Sequence, residues 1–345
     1  MEEDSSEVWW FWGRPPEGGW CKDTDRQVQR LSEGAGCLPV KPAWRNHLLA
    51  AFHTLRLKSA LSVHEIINRG ARVLIRNGEV FVLTEPMVSY CPFVAAVYGF
   101  KHIDKTAVKR AVEMRIEKFG LFTDRRAFPE NLVVPYGTSE IIKTCMEAGL
   151  LDCAVTVCDG AGTVISWSPS LVQGIGAYLT GIVSTSPIEN TIRYIERHGG
   201  AVLDAETARI DQVEGFRRAV ELGYRRVAVT VAGFRACQIP RIRALARRLG
   251  VDAAIFSVCN TCVKAGEVDC LRDADVVCAG ASRLVKSRIG PLARMQLGVG
   301  IPVFMLTKLA KDLALEYIRS SEIGYVAFRC KMPYLVEERS PKLRE

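Results

Sequence analysis

Histidine is scarce in this chain. There are five in 345 residues, and none stands in an HExxH or other ligand spacing. The ordinary zinc-hydrolase signature is therefore missing. No Gly-x-Ser-x-Gly elbow is present, so ordinary hydrolase triads have no support. Long apolar runs are lacking too. The longest uncharged stretch, Gly160 to Ile188, is interrupted by Pro169, Pro187 and several glycines. It reads as buried structure, not as a membrane span. The start of the chain, MEEDSSEVWWFWG, is acidic, and its apolar run from Val8 to Trp12 is only five residues long. A secretory signal needs a basic start and a longer apolar stretch. These absences lead us to expect a cytoplasmic protein.

What is present is ordinary in bulk and unusual in one respect. Hydrophobic residues make up 48% and charged residues 24%, enough apolar material for a sizeable core. The net charge of +8 comes from 46 basic and 38 acidic side chains, a mild excess. Cysteine is the unusual count, at 12. That is too few for a secreted disulfide scaffold, which runs at roughly 8–10%, yet many for a chain that folds on burial alone. In a reducing cytosol such thiols stay free, bind metal or react.

Residues 1–60 hold five of the six tryptophans (Trp9, Trp10, Trp12, Trp20 and Trp44) and show no sustained periodicity. We read them as an irregular extension. Residues 61–150 suggest a smaller α+β unit. In it, Asn77-Gly78 joins two apolar runs as a hairpin turn, and helices fall near Lys105–Phe119 and Ser139–Gly149. From 151 to 330 apolar runs alternate with helical patterns. The strands are Cys153–Cys158, Ala201–Leu203, Arg226–Ala232, Ala253–Val258, Ala274–Cys278 and Pro302–Leu306. A long helix over Ser282–Gln296 is expected between the last two. Short β-branched runs separated by helices imply a parallel sheet covered on both faces. The fold expected is thus α/β: a doubly wound, Rossmann-like, mostly parallel sheet. Residues 331–345 read as a charged tail that frays.

Open parallel sheets bind ligands beyond the carboxyl ends of their strands. Three predicted strands end at or beside cysteine: Cys158, Cys259 and Cys278, with Cys262 three residues past Cys259. Such thiols, joined by Cys91, form a candidate metal set (Cys91, Cys158, Cys259, Cys262, Cys278), and thiolate-rich ligation favours zinc or iron–sulfur. The spacing matches no standard zinc or cluster motif. Free cysteine is also a small buried hydrophobe, natural at strand ends.

The loop Asp159-Gly160-Ala161-Gly162-Thr163 is a second candidate, because glycines after a strand let backbone amides approach an anion. It is neither Gly-x-Gly-x-x-Gly nor a Walker loop, so classical NAD and ATP sites are disfavoured. Close helix–sheet packing explains the same glycines. Asp159 and Asp204 are candidate acid/base residues at the strand edge. Asp211 and Glu214 read equally as a helix cap. Seven arginines and no acid lie between Glu221 and Asp252, and Arg283 follows the strand ending at Cys278. Arg283 is therefore a candidate anion holder. The arginine tracts lack an RNA-binding aromatic signature, so nucleic acid is not the expected partner.

Several stretches together resemble the methanogenesis marker protein 8 family of archaeal methanogens. They are Val73–Gly78, Tyr90–Pro92, Val157–Ile165, Leu171–Gly176, Asp204–Gly215, Glu221–Tyr224 and Ile301–Phe304. The resemblance runs from about Val63 to Ile318, and residues 1–60 fall outside it. It implies an accessory or maturation role in methanogenesis within an anaerobic cytosol. The implied partner is methyl-coenzyme M reductase or its maturation machinery; together with the strand-end thiols and the glycine loop, this leads us to expect a bound metal, cluster or cofactor. It supplies no catalytic residues. The Cys259–Cys262 pair departs from the family's pattern, which leaves Cys91, Cys158 and Cys278 as the firmer thiols. Two other readings stay open. One is an enzyme acting on a small anionic substrate, and the other is a non-catalytic subunit docking an acidic partner.

Overall fold

A computed structural model describes residues 62–130, 137–177, 181–322 and 324–344. The Trp-rich extension lies outside them. Residues Ser62–Glu345 form one compact unit.

The unit begins with a meander. Strands β1 (Val63–Asn68), β2 (Ala71–Arg76) and β3 (Glu79–Val82) are joined by two-residue turns at Arg69-Gly70 and Asn77-Gly78. All four turn residues have positive φ, the mirror-image turn that matches strand twist. The short strand β4 (Val88–Tyr90) leads into α1 (Pro92–Tyr98) and α2 (Lys105–Phe119). Helix α2 starts at Asp104, whose side chain accepts from the Ala107 amide, and stops at left-handed Gly120. That is the expected acid-start, glycine-stop pattern. Helix α3 (Thr138–Glu147) precedes β5 (Cys153–Cys158), β6 (Gly162–Ser166) and α4 (Pro169–Gly176).

The chain then leaves the large sheet. Strand β7 (Gly181–Thr185) pairs antiparallel with β1 and completes a four-stranded sheet, β3-β2-β1-β7. The two halves expected on either side of residue 150 therefore share a sheet. Next come α5 (Glu189–Arg197), β8 (Gly200–Val202), α6 (Gln212–Glu221), β9 (Arg226–Ala232), α7 (Gln238–Leu249) and β10 (Asp252–Val258). The remainder is α8 (Ala265–Val268), β11 (Val276–Cys278), α9 (Arg283–Arg288), β12 (Met295–Leu297), β13 (Val303–Met305), α10 (Lys308–Arg319) and β14 (Lys342–Leu343).

The large sheet has the order β12-β13-β11-β10-β9-β5-β6-β8. Its four central strands, β11, β10, β9 and β5, are parallel. The flanking strands pair antiparallel on both sides. The central strands read as near-continuous apolar runs because both faces are covered. Val227, Val229 and Ile255 pack with α6, α7 and α9 on one face. Ala228, Ala254 and Phe256 pack with α3, α4 and α10 on the other.

Three expectations need correction. The strand at Pro302–Leu306 is antiparallel to β11, because β12 forms a hairpin with it instead of continuing a helix. The helix expected over Ser282–Gln296 ends at Arg288, where Pro291 and a 3₁₀ turn take over. The C-terminal residues do not fray. Strand β14 pairs with β4, Ser340 is buried, and Arg344 donates to the Ile103 carbonyl.

Candidate functional site: an arginine and thiol cleft

The site is assembled from a turn, a helix and two strand ends. Arg69 sits at the first central position of the β1–β2 turn with φ +54°. Asn, Asp or Gly normally fill that position, and an arginine there costs on the order of 1 kcal/mol. Gly70 beside it cannot change, since a Cβ would lie 2.6 Å from the Met87 side chain. The held turn brings the Arg69 guanidinium into electrostatic contact with Arg115, Cys91, Tyr98 and Cys259.

Arg115 comes from α2. The buried face of that helix reads Ala107, Val108, Ala111, Val112, Arg115, so a cation continues an apolar stripe. Its Nε donates to the Tyr98 hydroxyl at 3.4 Å, and its Nη1 is buried with no hydrogen-bond partner. Among the described residues neither Arg69 nor Arg115 forms an ion pair with a carboxylate. Burial pushes the Arg69 guanidinium down, and the like charge of Arg115 pushes it further.

The thiols come from the carboxyl edge of the large sheet. After β10, Cys259 adopts φ +55° and turns the chain into the 3₁₀ segment Asn260–Cys262. Buried Asn260 pins that segment: it accepts from Ser257 Oγ at 2.9 Å and donates to the Cys278 carbonyl at 2.8 Å. The ends of β10 and β11 are thereby tied together. Close approach to β7 completes the wall, because a Cβ on Gly181 would lie 2.9 Å from the Phe234 ring and 3.3 Å from Cys259 Cβ. The Cys278 thiol lies 3.4 Å from Thr138 Oγ1. Solvent reaches Cys259, yet burial pushes its thiol up to about 12, with the charges of Cys278 and Cys262 adding to that and Arg69 and Arg115 opposing it. Cys259 thus keeps solvent access while neighbouring atoms desolvate its thiol. Burial also raises Cys262 and Cys278. The cleft thus presents two guanidinium groups and neutral thiols.

The structure divides the sequence candidates. Cys259 is within electrostatic influence of Cys262 and Cys278, and Arg69 of Cys91. Cys158 does not join them. It is fully buried beside Asp159, which burial and that neighbour make a poorly ionising thiol. Among the described residues no group of three or more His, Cys, Asp or Glu side chains is disposed to hold a metal ion. The zinc or iron–sulfur reading of the five cysteines therefore has no assembled ligand set.

The Asp159–Thr163 loop is closed by the protein itself. It is the turn of the β5–β6 hairpin, with Cys158 paired to Gly162, and Asp159, Gly160, Ala161, Gly162 and Thr163 are all buried. Asp159 accepts from Arg126 Nε and from the Phe122 amide, both at 2.7 Å. Burial is the largest single influence and lowers Arg126, but the charge and hydrogen bond of Asp159, with Cys158 and Tyr194, together hold the guanidinium above its ordinary value. A Cβ on Gly160 would strike Ile188, and one on Gly162 would lie 2.1 Å from the Ala208 carbonyl. The glycines serve packing, and no anion has room there.

Asp204 is a turn cap. Its carboxylate accepts from the Glu206 and Thr207 amides and from Thr207 Oγ1. Asp211 caps α6 through the Glu214 amide. Arg283 is exposed at the start of a six-residue helix. Arg69 and Arg115 were not among the residues singled out from the sequence. Each carried a sequence signal: an arginine before glycine at a hairpin turn, and a charge on the apolar stripe of a helix.

Residues 63–319 match the protein family described as "Uncharacterized protein conserved in archaea (DUF2099)". The chain belongs to that family. It is also 36% identical over 273 residues to the uncharacterized protein MJ0054 of Methanocaldococcus jannaschii, a match covering 79% of this chain and 95% of that one. The family match starts and ends within the described unit. It includes Arg69, Arg115 and every thiol of the cleft. Among the described residues of this DUF2099 protein, no helix is long and apolar enough to cross a membrane.

Proposed function

We propose that this protein binds a small, multiply charged anion, of the carboxylate, phosphate or sulfonate class, in the cleft of Arg69 and Arg115, and handles it as a substrate or cofactor. One observation carries the reading: two neighbouring guanidinium groups have, among the described residues, no ion-paired carboxylate, and Arg115 keeps a buried Nη1 without a hydrogen-bond partner. A buried charge without a partner costs several kcal/mol, and an incoming anion offsets that cost. The left-handed backbone at both Arg69 and Cys259 supports the same view, since strain of this kind clusters at ligand clamps. The thiols of Cys259, Cys262 and Cys278 are positioned beside the anion as neutral hydrogen-bond donors.

The resemblance to methanogenesis marker protein 8 supplies the setting. In that setting the protein is a cytoplasmic accessory factor, and methyl-coenzyme M reductase or its maturation machinery is its partner. The binding test is calorimetric titration of the full chain with inorganic phosphate, pyrophosphate and a small alkyl sulfonate. At least one should bind, with affinity falling tenfold or more in Arg115→Met. Equal heats in both proteins would overturn the reading. Co-purification with reductase subunits from cells, weakened by salt, tests the partner.

A further inference from the structure

Two thiols outside the cleft form a pair of their own. Cys237, exposed at the start of α7, and Cys270, half-buried in the 3₁₀ segment Asp269–Asp273, face each other at an Sγ–Sγ distance of 3.6 Å. They are 33 residues apart in sequence. The distance to a disulfide bond of roughly 2.05 Å is short enough for side-chain rotation to close. The other thiols are placed differently. Cys145, Cys153 and Cys158 are buried, with Cys145 donating to the Leu313 carbonyl and Cys158 to the Asp159 carbonyl. Cys278 contacts a threonine hydroxyl. Among the described residues, only Cys237 and Cys270 bond thiol to thiol.

We propose that Cys237 and Cys270 are a modification site, a dithiol that a low-molecular-weight disulfide oxidises to an intramolecular disulfide. The chemistry balances in two exchanges. The Cys237 thiolate attacks one sulfur of the small disulfide, forming a mixed disulfide and expelling one small thiolate. The Cys270 sulfur, losing its proton to solvent, then attacks the Cys237 sulfur and expels the second thiolate. Two electrons pass from the protein to the small disulfide, which leaves as two thiols. Cys237 attacks first because it is the exposed member. Cys270 resolves, since partial burial and the bond to Cys237 hold its proton more tightly.

The closed loop would contain α7, β10 and the Asn260–Cys262 segment. Cys237 lies just past the Gly233–Arg235 turn, and that turn rests on Asn260, where a Cβ on Gly233 would lie 2.4 Å from Asn260 Oδ1. A bond at Cys237 therefore tethers the turn that backs the cleft thiol segment.

The test is to equilibrate the full chain with mixtures of oxidised and reduced glutathione, trap with a maleimide, and map the cysteines by peptide mass spectrometry. The expected result is a Cys237–Cys270 disulfide that forms before any other, reverses with excess thiol, and is absent from both Cys237→Ser and Cys270→Ser. In each serine variant the remaining cysteine should stop at a mixed disulfide with glutathione. Circular dichroism of the variants should match the parent. A first disulfide mapped between other cysteines overturns the proposal. So does full labelling of both thiols in excess oxidised glutathione.

Discussion

Two buried arginines in this fold meet opposite fates. Arg126 is closed: it pairs with Asp159, donates to the carbonyls of Ala127, Gly174 and Ile175, and lies over the Phe128 ring at 4.1 Å. Arg115 is open: beyond one long bond to Tyr98 it keeps an unbonded Nη1 and a second arginine nearby. Both are charges taken out of water, so both carry a large desolvation cost. The protein meets that cost for Arg126 from its own chain and leaves it unmet for Arg115. The first arrangement organises the loop the sequence advertised. The second is the arrangement on which the anion-binding proposal rests.

The largest effect should come from opening the closed site. Asp159→Asn strands Arg126, and we expect a loss of about 3–5 kcal/mol, read as a lowered urea midpoint. A near-neutral result would mean that Arg126 is not held by Asp159, and the contrast would fail.

The pH dependence of the same region comes next. His64 is buried between Thr185 Oγ1 at 2.6 Å and Ser62 Oγ at 2.7 Å. Burial lowers it from 6.5 to about 4, with Asp159 partly opposing. The unfolded chain therefore takes up a proton below about 6.5 that the folded chain refuses until about pH 4. Stability should be full above pH 6.5 and should fall as pH drops toward 4, by on the order of 3 kcal/mol. Urea midpoints across this range, in the parent and in His64→Gln, check the sign. An unchanged slope in the variant would remove His64 from the account.

Closing the open site should behave in the opposite way. Arg115→Met replaces an unmet charge by an apolar chain of similar length on an apolar stripe. Stability should hold or rise by about 1 kcal/mol, while thermal stabilisation by anions disappears. A loss of 3 kcal/mol or more, as for a broken ion pair, would mean that Arg115 has an internal partner and is closed after all.

The smallest effect is at the turn. Arg69→Asn relieves the left-handed strain and should gain about 0.5–1 kcal/mol at the expense of anion affinity. Measured together by denaturation and calorimetry, the two changes should have opposite signs. A stability loss would show that the Arg69 side chain serves the fold.

Much of the architecture was readable because periodicity reports burial. The helix at Lys105–Phe119 and the strands Cys153–Cys158 and Arg226–Ala232 stand where their patterns put them. Strand direction was not readable. Val303–Met305 looks like any buried strand, and only its hairpin with Met295–Leu297 turns it antiparallel. The arginine tract of residues 225–248 misleads in a similar way. Arg226 pairs with Asp152 and Arg243 with Asp275, so part of that positive charge is spent inside the fold. The strand ends suggested one edge for Cys158, Cys259 and Cys278, yet Cys158 is buried in the core beside Asp159.

By itself, then, the sequence determined the longer helices and central strands and their apolar faces. These follow from local spacing, because alternation and helical period decide which side chains leave water. Which charges would be paired was a tertiary decision. Asp159 and Arg126 are 33 residues apart, Arg69 and Arg115 are 46 apart, and nothing local tells the first pair from the second. Packing alone placed a carboxylate beside one guanidinium and a second guanidinium beside the other. That placement closed the glycine loop and left Arg115 Nη1 buried without a hydrogen-bond partner.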